Sequence, residues 1–156
     1  MSADPDFPYL TSGQRISFPS VDSADRDGVV AVGANLSPGV LLSAYEQGIF
    51  PWFEAGLPIL WWSPDPRFVL QPEHLHIPRR LKRVLRNGGF DLSFDADFDS
   101  VISLCSRVPR RGQQGTWITQ DMIRSYRELH RLGYAHSVEV HREGRLVGGL
   151  YGLLLG

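Results

Sequence analysis

The 156-residue sequence has little that would tie it to a membrane, an oxidising compartment or a strongly charged partner. Its single cysteine, Cys105, excludes an internal disulfide and indicates a reducing compartment. No apolar run approaches the roughly 18 residues that a membrane-spanning helix needs, and the acidic start MSADPDF is not typical of a secretory signal. The 16 basic and 17 acidic residues leave a net charge of −1, which favours neither acidic nor basic partners. We therefore predict a cytoplasmic protein with no membrane contact.

Patterns of common catalytic and metal sites are also missing. The sequence has no G-x-S-x-G motif, no P-loop and no G-x-G-x-x-G after a strand. His74 and His76 alternate in one segment, but no second pair at metal-ligand spacing accompanies them, so we predict no metal site. Cys105 lies on the apolar face of a predicted helix, where a core residue is commoner than a nucleophile. These patterns alone indicate no hydrolase and no nucleotide-dependent enzyme.

Helix and strand signals, by contrast, follow one another along most of the chain. Ser37, Pro38 and Gly48 occupy the cap, first-turn and end positions of one helix, and Thr119 caps another. The predicted elements, in order, are a strand at 28–33, a helix at 37–48, a strand at 67–71, a helix at 76–89, a strand at 90–94, a helix capped by Asp95, the helix after Thr119 and a hairpin with its turn at 142–145.

The charge is unevenly distributed despite its balance. Five basic residues and no acidic one lie between His74 and Phe90, namely Arg79, Arg80, Lys82, Arg83 and Arg86. These residues could belong to a solvated helix surface. Such a surface usually carries acidic partners three or four positions away, however, and here there are none. An unpartnered basic cluster attracts phosphates, and Arg110 and Arg111 could extend it.

Aromatic residues concentrate in two motifs, GIFPWF at 48–53 and LWWSPDPR at 60–67. Trp52, and Trp117 in GTWIT, lie in loops where rings are often half exposed, whereas Phe50 and Phe53 are expected in the core. Trp61 and Trp62 point in opposite directions if the chain is extended. Rings of this kind can be core, or they can stack against the bases of a single-stranded nucleic-acid end. The residues alone leave both interpretations open.

Seven motifs together resemble the leucyl/phenylalanyl-tRNA–protein transferase family. They are GANLSP at 33–38, YEQGIFPWF at 45–53, ILWWSPDPR at 59–67, HIPRRLKR at 76–83, GTWIT at 115–119, YRELHRLGYAHSVEV at 126–140 and LVGGLYG at 146–152. The motifs are long and unusual, and they follow the family's order from about Ile16 to Gly152 with almost no gaps.

The resemblance implies an α+β fold in which a small N-terminal α+β domain, residues 1–67, precedes the front part of a GNAT-like acyltransferase domain, residues 68–156. It also implies the reaction. Leucine or phenylalanine moves from its tRNA to the N-terminal arginine or lysine of an acceptor protein, which is thereby marked for degradation by the N-degron pathway. The acceptor's α-amine attacks the aminoacyl ester, and no metal or cofactor takes part.

Site residues are carried over from the family by matching positions. Trp52 and Trp117 match rings around the terminal adenosine and the aminoacyl group, Tyr126 lies near the same site, and Tyr45 is a weaker match. Leu150 matches a wall of the amino-acid pocket. The basic helix from Arg79 to Arg86 matches the tRNA-binding surface. An apolar pocket separates side chains that differ by a methylene by only about 1–3 kcal/mol, so overlap among Leu, Phe and Met is expected.

The sequence departs from the family at its end. LVGGLYGLLLG stops inside an apolar, strand-like run, and the family's next strand, which carries a CGESMFS-like motif with the catalytic glutamate, does not follow. We therefore expect no catalytic residue within the chain, and a truncated, inactive protein, because amine deprotonation lacks a positioned base. An apolar terminus that packs against a partner subunit is the alternative to truncation. The alternative functions are a non-catalytic tRNA- or RNA-end-binding module and a structural domain whose rings are all core.

Overall fold

Two three-stranded antiparallel sheets and four helices make up the protein. The structure is a computed structural model and describes residue 4, residues 6–108 and residues 116–156. The strands are β1 (Val29–Val32), β2 (Phe50–Pro51), β3 (Leu60–Trp62), β4 (Phe90–Phe94), β5 (Ala135–Arg142) and β6 (Arg145–Leu153). The helices are α1 (Pro38–Glu46), α2 (Arg79–Asn87), α3 (Phe98–Cys105) and α4 (Gln120–Arg131), with 3₁₀ turns at Val21–Ser23 and Pro72–His74. The predicted α+β class is confirmed.

The first sheet has the strand order β1-β3-β2. Trp62 lies at the centre of the register, because it pairs with Val29 on one side and with Phe50 on the other. Neighbouring residues of a strand face opposite ways. Trp61 is accordingly buried while Trp62 is only half-buried, as their adjacency predicts.

Helix α1 packs closely against the N-terminal segment. Pro38 occupies its first position, as predicted, and Ser37 is the N-cap residue, but the Ser37 hydroxyl accepts a hydrogen bond from the Leu10 amide rather than from its own helix. A Cβ on Gly39 would lie 2.5 Å from the carbonyl oxygen of Thr11 and 2.8 Å from that of Gln14. Only glycine permits this approach of the two backbones.

The second sheet has the order β4-β5-β6, and helices α3 and α4 cover one of its faces. The predicted β5–β6 hairpin is confirmed, with Glu143 and Gly144 both at positive φ in its turn. Both sheets contribute to one core, in which Trp61 and Leu41 from the first half join Met122 and Leu129 from α4.

Two local predictions are wrong. Residues 67–71 form no strand, because no described segment pairs with them, and the Phe68 side chain is fully exposed. Asp97, not Asp95, caps α3, since its carboxylate accepts the Ser100 amide. Asp95 adopts a left-handed backbone, with φ of 53°, and turns its carboxylate toward β5.

The other face of the second sheet carries exposed apolar side chains. Leu92 and Phe94 of β4 and Leu150 of β6 are all exposed, and helix α2 has no buried residue. Its apolar positions Leu81 and Leu85 are exposed as well. Among the described residues, the second sheet therefore packs against helices on one face only, and its other face is exposed.

Candidate nucleic-acid-end site

The exposed rings of the first sheet lie on its outward face. After α1, Gly48 takes a left-handed conformation with φ of 77°, which is accessible to glycine, and turns the chain into β2. Phe50 pairs with Trp62, so their side chains share a face. Trp52 continues the pairing, since its amide donates to the carbonyl oxygen of Leu60 over 2.9 Å.

We call Phe50, Trp52 and Trp62 the ring strip. The Trp52 and Trp62 ring centroids are 5.4 Å apart at an angle of 48°, and the Trp62 indole N–H donates to the Trp52 carbonyl oxygen over 2.6 Å. Trp52 remains 48% exposed. The indole–carbonyl bond therefore holds two large rings in a fixed relation while one of them faces solvent. Phe53, as predicted, is buried, whereas Phe50 is only half-buried.

A second set of rings lies inside the molecule and includes the predicted site residues Tyr45 and Tyr126. The Tyr45 and Tyr126 hydroxyl groups hydrogen-bond to each other, and their rings meet edge to face at 6.5 Å. Tyr126 contacts Tyr151 at 5.7 Å, Tyr151 contacts Phe98 at 6.0 Å, and Phe98 stacks on His130 at 4.3 Å. We call these five residues the ring chain, which crosses the core from α1 to the end of α4.

Burial keeps both tyrosines of the pair neutral. It raises the pKa of the Tyr126 hydroxyl well above its usual value, and the contact with Tyr45 adds to the shift. Burial also raises the pKa of Tyr45, although the hydrogen bond from Tyr126 and the positive charge of Arg67 lower it in part. The pair can therefore donate and accept hydrogen bonds but holds its protons at neutral pH.

Trp117 and Leu150 occupy different surroundings from the ring strip. Trp117 precedes α4 and is half-buried against the common core. Leu150 pairs with Val138 and is 61% exposed. Its neighbour Tyr151 faces Tyr126, so Leu150 points from the opposite face of the sheet. The structure thus brings Tyr45 and Tyr126 together and leaves Leu150 apart from them.

The basic residues of α2 lie on an exposed helix. In the described ranges, none of its five cations comes within 4.0 Å of a carboxylate, whereas Arg15 pairs with Glu46 and Arg127 with Asp99. Arg110 and Arg111, which could extend the cluster, lie outside the described residues. The helix presents uncompensated positive charge to solvent, as a phosphate-binding surface requires.

Glu139 is a buried carboxylate that the sequence did not single out. Burial opposes its ionisation, but hydrogen bonds from the Ser137 hydroxyl at 2.5 Å and the Ser93 hydroxyl at 2.7 Å, with longer ones from the Ala96 and Asp97 amides, outweigh that effect and lower its pKa. It is fully buried. Glu139 therefore ties β4, β5 and the start of α3 together as an anion and is not placed to act as a base. The alternation in SVEV would have predicted that the two valines point inward, so no local sequence signal indicates the burial of Glu139.

An acid–histidine pair lies at the surface end of the ring chain. The Asp95 carboxylate contacts Nδ1 of His136 at 2.7 Å and accepts the Ser137 amide, and His130 lies 3.9 Å away. The bond to Asp95 raises the pKa of His136, and the same bond lowers the pKa of Asp95. The pair thus connects the corner between β4 and α3, where Asp95 lies, to strand β5.

Among the described residues there is neither a membrane-spanning helix nor a cluster of metal-ligating side chains. No helix in those ranges is long and apolar enough to cross a membrane. Within the same ranges, no three or more His, Cys, Asp or Glu side chains come together as metal ligands would.

Two family models match successive parts of the chain. The model described as leucyl/phenylalanyl-tRNA protein transferase matches residues 69–156, and the one described as the N-terminal domain of that transferase matches residues 34–65.

Individual relatives carry the same name, leucyl/phenylalanyl-tRNA–protein transferase. The protein of Myxococcus xanthus is 55% identical over 149 residues, which are 95% of this chain and 64% of the relative. That of Syntrophus aciditrophicus is 52% identical over 149 residues, covering 96% of this chain and 62% of the relative. That of Pseudomonas entomophila is 54% identical over 143 residues, covering 90% and 63%. The chain thus spans somewhat less than two thirds of the length of these curated relatives.

Proposed function

This chain belongs to the leucyl/phenylalanyl-tRNA–protein transferase family, and from that premise we propose that it binds the aminoacylated 3′ end of a tRNA. In the whole protein this end would be leucyl- or phenylalanyl-tRNA, and the amino acid would move to the N-terminal arginine or lysine of an acceptor protein. We place this activity in the cytoplasm. It would need neither metal nor cofactor, because the reaction exchanges an ester for an amide.

The observation that carries the proposal is the ring strip with its half-exposed Trp52. Proteins hold single-stranded nucleic-acid ends by stacking bases on exposed aromatic rings, each worth about 1–3 kcal/mol. Here the Trp62 indole fixes the Trp52 backbone, so the platform is ordered before the ligand binds. A preorganised platform loses less conformational entropy when it binds.

Helix α2 supplies the second part of the proposal. Its uncompensated cations would neutralise phosphates along the tRNA body, independently of base sequence. Affinity for tRNA should then fall steeply with salt, whereas stacking at the ring strip should depend on salt much less.

The remaining assignments follow from the family and stay part of the proposal. Trp117 would contact the aminoacyl group or the adenosine, Tyr126 and Tyr45 would border the same site, and Leu150 would line the amino-acid pocket. Because Leu150 points from the sheet face opposite Tyr151, that pocket would lie on the other face of the second sheet from the Tyr45–Tyr126 pair. We also propose that residues 1–67 and 68–156 are two domains, the second GNAT-like, and the two separate sheets support this division.

Fluorescence of the four tryptophans provides the test. The chain is titrated with Phe-tRNA and with the same tRNA after deacylation, at low and at moderate salt. We expect stronger quenching and tighter binding with the charged tRNA. Equal binding would favour the alternative, a non-catalytic RNA-end-binding module, and a folded chain that binds neither would contradict both functions.

A matched pair of variants sharpens this test. Trp117→Ala should abolish the preference for charged tRNA while it leaves the salt-dependent affinity in place, because α2 is untouched. A variant of α2, Arg83→Gln, should lower the affinity for both tRNAs equally and reduce the salt dependence. An unchanged preference in Trp117→Ala would contradict the role assigned to that ring.

A further inference from the structure

Arg67 lies at one end of the ring strip and is held there by two contacts. Its guanidinium carbon is 5.1 Å from the centroid of the Phe50 ring, within the range of a cation–π contact. Its Nη1 donates a hydrogen bond to the Gly48 carbonyl oxygen. The side chain is nevertheless exposed. Arg67 is therefore a fixed, solvent-facing cation at the edge of an aromatic surface.

The guanidinium of Arg67 forms no ion pair among the described residues, although Asp22, Asp25, Asp27 and Asp65 line the cleft that it borders. Four other arginines pair with carboxylates, namely Arg15, Arg124, Arg127 and Arg131. In the part of the chain that the structure describes, no carboxylate lies within 4.0 Å of Arg67, and its N–H groups other than the one facing Gly48 donate no hydrogen bond. The positive charge does act on Tyr45, whose pKa it lowers in part. The electric field of Arg67 therefore reaches Tyr45, one of the predicted site residues.

This combination of rings and an arginine matches a nucleotide better than a nucleoside. Guanidinium groups bind phosphates through parallel N–H···O hydrogen bonds, and single-stranded nucleic acids are bound by stacked bases together with nearby cations. We propose that Arg67 binds the 5′ phosphate of the terminal nucleotide whose base stacks on the ring strip. This inference rests on the proposed function, because it presumes that an aminoacylated 3′ end occupies the strip.

A purely structural role for Arg67 predicts different behaviour. If the guanidinium only stabilises the turn at Gly48, its loss should weaken every ligand of the ring strip equally. If it binds phosphate, its loss should weaken only ligands that carry one. Two ligands that differ by a single phosphate therefore separate the two roles.

The first ligand is adenosine that carries phenylalanine on its 3′ position through a stable amide, and the second is the same compound with a 5′ phosphate. Binding to the whole chain is followed by tryptophan fluorescence. We expect the wild-type chain to bind the phosphorylated ligand about tenfold more tightly, the size typical of a hydrogen bond between charged groups. No gain from the phosphate would overturn the inference.

Three variants complete the experiment. Arg67→Gln should lose the phosphate gain and keep the affinity for the unphosphorylated ligand, and Arg67→Lys should keep part of the gain because it retains the charge without the planar fork. Arg145→Gln, an exposed arginine in the β5–β6 hairpin, is the control and should keep the whole gain. A full gain in Arg67→Gln, or equal weakening of both ligands in Arg67→Gln and Arg67→Lys, would overturn the inference.

Failure of the proposed function gives a different result. In that case the wild-type chain would bind the aminoacylated nucleoside no better than adenosine itself. A chain that prefers the aminoacylated nucleoside but shows no Arg67-dependent phosphate gain would refute the role of Arg67 alone.

Discussion

The ring chain and the ring strip both consist of ring side chains, but the ring chain packs inside the core and the ring strip faces solvent. In the ring chain, Tyr126 is almost wholly buried and each ring contacts the next. In the ring strip, Trp52 keeps half of its surface in water. Buried rings lower the free energy of the folded state through packing, whereas exposed rings keep unused stacking surface that a ligand can cover.

The two sets also differ in how their polar groups are satisfied. Two hydroxyl groups of the ring chain, those of Tyr45 and Tyr126, bond to each other inside the protein. The ring strip instead has a polar neighbour, Arg67, that keeps donors directed at solvent. A surface with open donors and open rings is typical of a binding site, and a closed network is typical of a core.

The largest difference should appear in stability. Tyr126→Ala removes a fully buried ring and leaves a cavity between α1, α4 and β6, so we expect a loss of about 3–5 kcal/mol in the free energy of unfolding. Trp52→Ala loses one ring contact at the surface and should cost about 1 kcal/mol. Urea denaturation followed by circular dichroism measures both. Equal losses in the two variants would break the distinction between the ring chain and the ring strip.

A smaller effect should isolate the hydrogen bond within the ring chain. Tyr126→Phe and Tyr45→Phe each remove one partner of the bond and leave the other hydroxyl without it, so each should cost about 1 kcal/mol. The double variant should cost less than the sum of the two single variants, because both act on the same bond. Additive losses in the cycle would show that the hydroxyl groups contribute independently, through contacts other than their mutual bond.

Much of the fold could be predicted because the helix ends carry local signals. Pro38, Gly48 and Thr119 occupy positions whose preference depends on a few neighbouring residues only. Residues 67–71 show the limit of such signals. Their side chains suit a strand, but a strand needs a partner, and partners are decided by the folded chain as a whole.

The candidate site could be predicted in part for the same reason. The rings at Trp52 and Trp62 are visible in the sequence as motifs. Arg67 was not predicted as a site residue because it contacts Gly48, which follows α1 and lies 19 positions earlier in the chain. No local sequence pattern indicates a contact over that distance. The side of the sheet on which Leu150 lies depends on the register of β5 and β6, which is irregular between Val140 and His141.

The smallest effect is expected where the ring chain reaches the surface, beside His130. His136 pairs there with Asp95, which also faces His130 and accepts the Ser137 amide. The pKa of His136 is raised from 6.5, so its contribution is complete below about pH 6.5 and is lost as the pH rises through the raised value. The pKa of Asp95 is lowered from 3.8, so its contribution is present above that pH and is lost as the pH falls through the lowered value.

The stability of the wild type should therefore exceed that of His136→Gln mainly between about pH 4 and pH 6.5, and the difference should shrink as the pH rises through the raised pKa of His136. The side chains of His136 and Asp95 are 41% and 38% exposed, so water and salt screen the pair, and the difference should stay below about 1 kcal/mol. Urea denaturation of both proteins at several pH values measures it, and added salt should reduce it. A difference that grew with rising pH would show that His136 stabilises the corner as a neutral ring. The polar end of the ring chain would then depend on packing, as its buried centre does.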